Sequence, residues 1–157
     1  MAYIDSTSLN VCHPKRIYRN KVFKGLAERG KSTKGWFFGF KLHIDNKGNL
    51  MNEKLTKGNA NDRSVVPQMT ANMKGFLFAN KGYISKDLFL RLMARGLKII
   101  TGIKRSMKNI LMSFEGKFFL RKRSLVDMVF DNLKNKFMLE HFRHRSFINM
   151  LVHIIFT

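Results

Sequence analysis

Apolar side chains recur at every second position over residues 36–43, with Trp36, Phe38, Phe40 and Leu42 on one face and Phe37, Gly39, Lys41 and His43 on the other. A period of two is that of a strand, because a helix would scatter these side chains around its axis. Asp45, Asn46, Lys47 and Gly48 follow, and Asn and Gly tolerate the positive φ of a tight hairpin turn. The chain is therefore expected to return antiparallel over residues 49–56.

Other segments fall into place around that hairpin. Residues 3–9 read as a first strand, and residues 13–34 as a basic loop or insertion punctuated by Gly25 and Gly30, with Gly35 just beyond. Asp62 or Ser64 can cap a helix running toward Met73, with Pro67 limiting its first turn and Gly75 stopping it. Residues 76–79 make a buried strand. Ser85 caps a helix that gathers Leu88, Phe89, Leu92 and Met93 and stops at Gly96, and residues 97–103 form another strand. After a basic loop, Ser124 caps a helix whose Leu125, Val126, Val129, Phe130, Leu133 and Phe137 form an apolar stripe, and Ser146 caps a last helix. This order predicts one α/β domain over residues 1–157 with a ribonuclease-H-like fold. Its mixed sheet would combine a three-strand antiparallel meander with two parallel strands, flanked by helices.

Charge narrows the partner. The chain has 157 residues, 45% of them hydrophobic, which is enough for one core. Its 30 Lys and Arg against 10 Asp and Glu give +20, a balance suited to a polyanion. The lone Cys12 excludes an internal disulfide and fits a reducing, cytoplasmic setting. The first residues lack the pattern of a signal peptide, and the apolar tract at 147–156 is too short for a membrane span, so no membrane partner is expected.

The fold outline calls for carboxylates on the first strand, after the fourth strand and on the late helix. Asp5 and Asp127 occupy the first and third places, and Asn80 stands in the second. Hard divalent cations at a phosphodiester need anionic oxygen ligands, so such acids would serve two Mg²⁺ ions about 4 Å apart. By position alone Asp5 also reads as a strand-end cap. Arg123, Asp127 and Lys134 share one helical face, and Arg123 with Asp127 also reads as an i,i+4 ion pair worth about 0.2–0.5 kcal/mol. Arg121 and Lys122, in the basic run ending at Arg123, suit contacts to a DNA backbone. The five histidines and Cys12 lack a spacing that closes a zinc site. Glu115, Asp131 and Asp87 are weaker substitutes for a missing acid.

Five segments occur in the order found in DDE-type bacterial insertion-sequence transposases: residues 4–7, 22–27, 35–43, 58–63 and 81–83. Leu133, Lys134 and Asn135, then residues 140–146, extend the likeness over nearly the whole chain, which resembles that family. The resemblance implies that Asp5 is the first metal carboxylate, that Asn80 takes the place of the second Asp and that Asp127 takes the place of the usual Glu. Arg123 and Lys134 match the accompanying basic residues as phosphate contacts, with Lys81 beside them in the Lys81-Gly82-Tyr83 segment. Leu120 stands where an aromatic residue often opens the helix signature. The family also carries helices ahead of the first catalytic strand, and a chain whose first strand begins almost at residue 1 is expected to lack them.

From this resemblance follow an expected function and its limits. The function is metal-dependent DNA cleavage and strand transfer with Mg²⁺ or Mn²⁺. The partners are insertion-sequence ends and target DNA, with a homodimer possible, no small-molecule substrate, and a cytoplasmic, nucleoid-associated location. Catalytic impairment is expected because an amide at position 80 removes a charge that two dications require. The alternative is a non-catalytic basic DNA-binding remnant. A basic ribosome-associated protein would need neither Asp5 nor Asp127.

Overall fold

A computed structural model describes residues 1–46, 50–104, 107, 114–139 and 144–156. The turn expected at 45–48 lies, from residue 47 on, outside the described residues, as do residues 140–143 of the last motif. Six strands and five α-helices are described: β1 (Ala2–Cys12), β2 (Glu28–Ser32), β3 (Gly35–Asn46), β4 (Leu50–Lys57), α1 (Asp62–Met69), β5 (Gly75–Ala79), α2 (Lys86–Ala94), β6 (Leu97–Thr101), α3 (Phe114–Arg121), α4 (Ser124–Asn135) and α5 (Phe147–Ile155). Short 3-10 turns occupy Pro14–Arg19 and Lys81–Tyr83.

The sheet runs β2-β3-β1-β5-β6, with β4 also paired to β3. β1, β5 and β6 are mutually parallel, and β2 is antiparallel to β3. Without β2, the order β4-β3-β1-β5-β6 is that of a ribonuclease-H-like fold, the class expected from the alternation of elements, although the order of the strands was not legible in the sequence. The sheet has one strand more than expected. β2 lies inside the segment read as a loop, and its Glu-Arg-Gly-Lys-Ser composition carries no strand signal. Its pairing comes from the exposed backbone of β3, a tertiary cause that propensity does not register.

The chain divides into two compact units, with β1, β3, β4 and α4 contributing residues to both. The first unit holds residues 1–5, 43–54 and 61–127. On one face of its strands, Ala2, Ile4, Leu77, Ala79 and Leu97 pack with Val65 and Val66 of α1 and Leu88 and Leu92 of α2. The opposite face carries Tyr3 stacked on Phe78 at 5.4 Å, and Phe119 of α3 lies 5.9 Å from Phe78. Burial raises the Tyr3 phenol above its ordinary value. The second unit holds residues 6–42, 55–60 and 128–157. Phe40 meets Phe23 at 6.0 Å and Phe147 at 5.7 Å there.

Several boundaries moved for identifiable reasons. Asn61, rather than Asp62 or Ser64, caps α1 by accepting from the Arg63 N–H, and α1 ends at Met69. Ser85 and Ser146 cap α2 and α5 as expected. The basic loop expected before α4 contains α3, where Gly116 and a mixed basic and aromatic composition obscure any stripe. Of the apolar stripe on α4, Val126 and Phe130 are buried, whereas Leu125 and Phe137 are exposed. Of the face that carries Trp36, Phe38, Phe40 and Leu42, the last three are buried, whereas Trp36, at the tip of the β2–β3 hairpin, is 68% exposed. Among the described residues, no helix is long and apolar enough to cross a membrane.

Candidate functional site

The period-two alternation of β1 determines where Asp5 points. Ile4 faces the α1 and α2 side, so Asp5 shares the opposite face with Tyr3 and Phe78, under α3. Asp5 is 6% exposed. Asn80 follows the buried Ala79 at the end of β5, the parallel neighbour of β1, and so reaches the same face. Its Nδ2 donates to Asp5 Oδ1 at 2.7 Å.

Both ends of the Asn80 amide are committed. Its Oδ1 accepts from the Gly82 N–H at 2.7 Å, capping the 3-10 turn Lys81–Tyr83. A flipped amide would place NH₂ against that N–H and oxygen against the Asp5 carboxylate, so the hydrogen-bond partners fix its orientation. Arg63, from α1, donates through Nε to the Gly82 carbonyl at 3.1 Å and holds the turn from its other side. Sequence reasoning assigned Arg63 no role, although it lies in the motif at residues 58–63. The link to Gly82 depends on tertiary contact and leaves no local signal.

Arg123 approaches from the turn between α3 and α4. It was expected on the helix with Asp127, but α4 begins one residue later, at Ser124. Its Nη1 lies 3.9 Å from Asp5 Oδ2 and its Nη2 lies 4.0 Å from Asp127 Oδ2. These separations are Coulombic contacts, too long for hydrogen bonds. The Arg123 side chain is 28% exposed and that of Asp127 57%. Water therefore screens the Asp127 contact, whereas Asp5 is shielded. The structure thus brings Asp5, Asn80, Arg123 and Asp127 together, with the guanidinium turned toward two acids.

The remaining basic candidates are arranged differently. Lys122 stacks its ammonium over Phe118 at 4.7 Å and Phe119 at 6.0 Å. Arg121 ends α3 in an exposed position, and Lys81 is exposed in the 3-10 turn. Lys134 lies near the end of α4, in the second unit. Asp87 pairs with Arg91 at 3.0 Å, and Asp131 accepts from Asn135 at 2.7 Å, so both substitute acids have local partners.

This donor set does not fit a pair of divalent cations. One Asp5 oxygen is taken by an NH₂ group, the Asn80 oxygen is taken by a backbone N–H, and a guanidinium faces both carboxylates. Among the described residues there is no group of three or more His, Cys, Asp or Glu able to hold a metal ion. As it stands, the arrangement is a charge-compensated junction between β1, β5 and α4.

A solved piggyBac transposase synaptic complex with hairpin DNA is similar at a TM-score of 0.45 and 14% identity, over 70% of this chain and 24% of that one. This chain therefore spans about a quarter of that protein's length. No curated protein matches it. The family model described as the transposase DDE domain, a class of domains that generally uses divalent metal, matches residues 1–147. With nearly all of its 157 residues covered by that match, the chain belongs to the transposase DDE domain family.

Proposed function

We propose that this chain is a DNA-transposition protein of the bacterial insertion-sequence class, acting on DNA ends and target DNA, whose own site is closed to metal by Asn80 and Arg123. The parent chemistry is Mg²⁺- or Mn²⁺-dependent cleavage of a phosphodiester followed by strand transfer. Asp5 and Asp127 stand at the first and third metal carboxylate positions, and Asn80 at that of the second Asp. Lys81, Arg121, Lys122 and Lys134 serve as DNA contacts. The observation that carries this reading is the 2.7 Å hydrogen bond from the Asn80 amide to Asp5, which occupies a ligand oxygen with a neutral donor. Cleavage and strand transfer are accordingly impaired in this chain.

Asn80→Asp is the direct test. The new carboxylate can still accept from the Gly82 N–H, but its other oxygen would face Asp5 Oδ1 at a distance only a proton or a cation can bridge. Asn80→Asp should therefore lower the melting temperature in chelator, and Mn²⁺ should restore it. Its Mn²⁺ affinity should exceed that of the unaltered chain by at least the 10–100-fold typical of a lost outer-shell partner. Mg²⁺- or Mn²⁺-dependent nicking of linear DNA should appear in the variant. Equal nicking by the unaltered chain and by Asn80→Asp, with no change in Asp5→Ala, would falsify the assignment.

A second reading has its own support in the charge of +20. Binding to DNA without cleavage needs no metal, and it predicts retained affinity where Asn80→Asp gains no activity.

A further inference from the structure

Residues 13–34 contain five lysines and three arginines against one acid, Glu28, and all eight cations are exposed. Charge of that density marks a contact with a polyanion but does not say which kind. Two aromatic side chains narrow the choice. Trp36 is 68% exposed and Tyr18 is 77% exposed. Each has a cation over its ring: Lys31 Nζ is 5.7 Å from the Trp36 centroid, and Arg19 Cζ is 5.3 Å from that of Tyr18. Isolated exposed apolar residues are ordinary on any surface. A large ring held beside its own cation, within a strongly basic segment, offers both a π-face and a phosphate contact.

The Trp36 ring stands on a rigid base. Lys31 and Trp36 are cross-strand partners in the β2–β3 ladder, as are Arg29 and Phe38, so all four share one face of the hairpin. Ser32 Oγ donates to the Gly35 carbonyl and accepts from the Lys34 N–H, closing the tip. Behind it Phe37 is buried, and Gly30 lies so near the Gly58 carbonyl that an added Cβ would come within 2.1 Å of its oxygen. A platform ordered in advance gives up little entropy on binding.

We infer that the β2–β3 hairpin binds unpaired nucleotides of single-stranded DNA, with Trp36 as the stacking face and Arg29, Lys31 and Lys34 as phosphate contacts. Duplex bases are stacked on one another and offer only their edges and phosphates, so a duplex would leave the Trp36 face unused. A single strand exposes base faces, and stacking on an aromatic ring tolerates any sequence. The hairpin belongs to the unit that contains neither Asn80 nor Arg123, and its binding requires neither residue nor any metal.

Trp36 is the only tryptophan in the chain, so its emission reports directly on the surface. Titration of the full chain with oligo(dT) in chelator should quench that emission, whereas a duplex of equal length should leave most of it. By fluorescence anisotropy of labelled DNA, Trp36→Ala should weaken oligo(dT) binding by about 5- to 150-fold, the range measured for one base stack, with Trp36→Phe intermediate. Duplex affinity should change less than about twofold in the same variants. Lys31→Ala should reduce the salt slope of oligo(dT) binding by about 0.7, one single-strand phosphate contact. Unquenched emission at saturating oligo(dT), or equal losses for single strand and duplex in Trp36→Ala, would overturn the inference. Either result leaves the Asn80→Asp experiment unaffected.

Discussion

At position 80 an amide and a carboxylate share one shape but differ in what they can hold, because NH₂ replaces an oxygen. The amide donates to one acid and accepts from a backbone N–H, so it completes a hydrogen-bond chain that two carboxylates could close only around a proton or a cation. Asp5 was legible as a candidate because the fold outline calls for a carboxylate on the first strand, although β1 runs on to Cys12 and Asp5 lies within it. The role of Arg123 was legible only in part. The i,i+4 spacing gives its contact with Asp127, but the contact with Asp5 spans more than a hundred residues and needed the fold. Another carboxylate, Asp45, was read only as the start of the hairpin turn, whereas it lies within β3. It is fully buried on β3 and accepts from Asn52 Nδ2 at 2.9 Å, and Asn52 also donates to the Met69 carbonyl at the end of α1. Burial pushes the Asp45 carboxyl above the usual carboxylate range, and the bonds from Asn52 pull it partly back. A raised value means that the folded state holds this proton more tightly than the unfolded chain does. Its stability contribution is therefore full at acid pH and is lost as pH rises through the folded value. Asp45→Asn should raise the melting temperature at pH 7, and the gain should vanish below about pH 4, where the unfolded carboxyl is protonated as well.

At the scale of elements, strands and helices with a strong period were legible, and those formed by partnership were not. β3, β5 and α2 carry their own patterns. β2 has none and borrows its register from β3, while α3 gains its place from Phe119 against Phe78. α5 combines a legible cap with an unforeseen contact. His153 Nε2 faces the Phe137 carbonyl at 3.1 Å, which can only accept, so that nitrogen carries the hydrogen. Its Nδ1 then accepts from His144 Nε2 at 3.1 Å. Burial, and next the nearby His153, lower the His144 value below that of a free imidazole. The unfolded chain therefore takes up this proton first. The stability linked to His144 is complete above about pH 6.5, the unfolded value, and is lost as pH falls toward the folded one. The melting temperature should accordingly drop between pH 7.5 and 5.5, and His144→Gln should flatten that drop. An equally steep profile in the variant would remove His144 from the account.

For the molecule as a whole, the charge of +20 governs association more than folding. Each duplex phosphate neutralised contributes about −0.9 to the slope of log affinity against log salt, and 6–10 such contacts weaken binding by about 10³- to 10⁵-fold between 50 and 200 mM. A labelled duplex of arbitrary sequence should lose affinity within that range, and a flat response would remove electrostatics as the basis of binding. The sequence by itself determined the alternation of strands and helices, the basic character and the identities of the candidate acids. Periodicity, capping and charge are properties of neighbours along the chain, so they survive without coordinates. Tertiary structure alone decided that Asn80 donates to Asp5, that Arg123 faces two acids, and that Trp36 stands exposed beside β2, a strand in the segment read as a loop. Each of these is a contact between distant segments, and its geometry exists only once the sheet has set which strands are adjacent and which face each side chain takes.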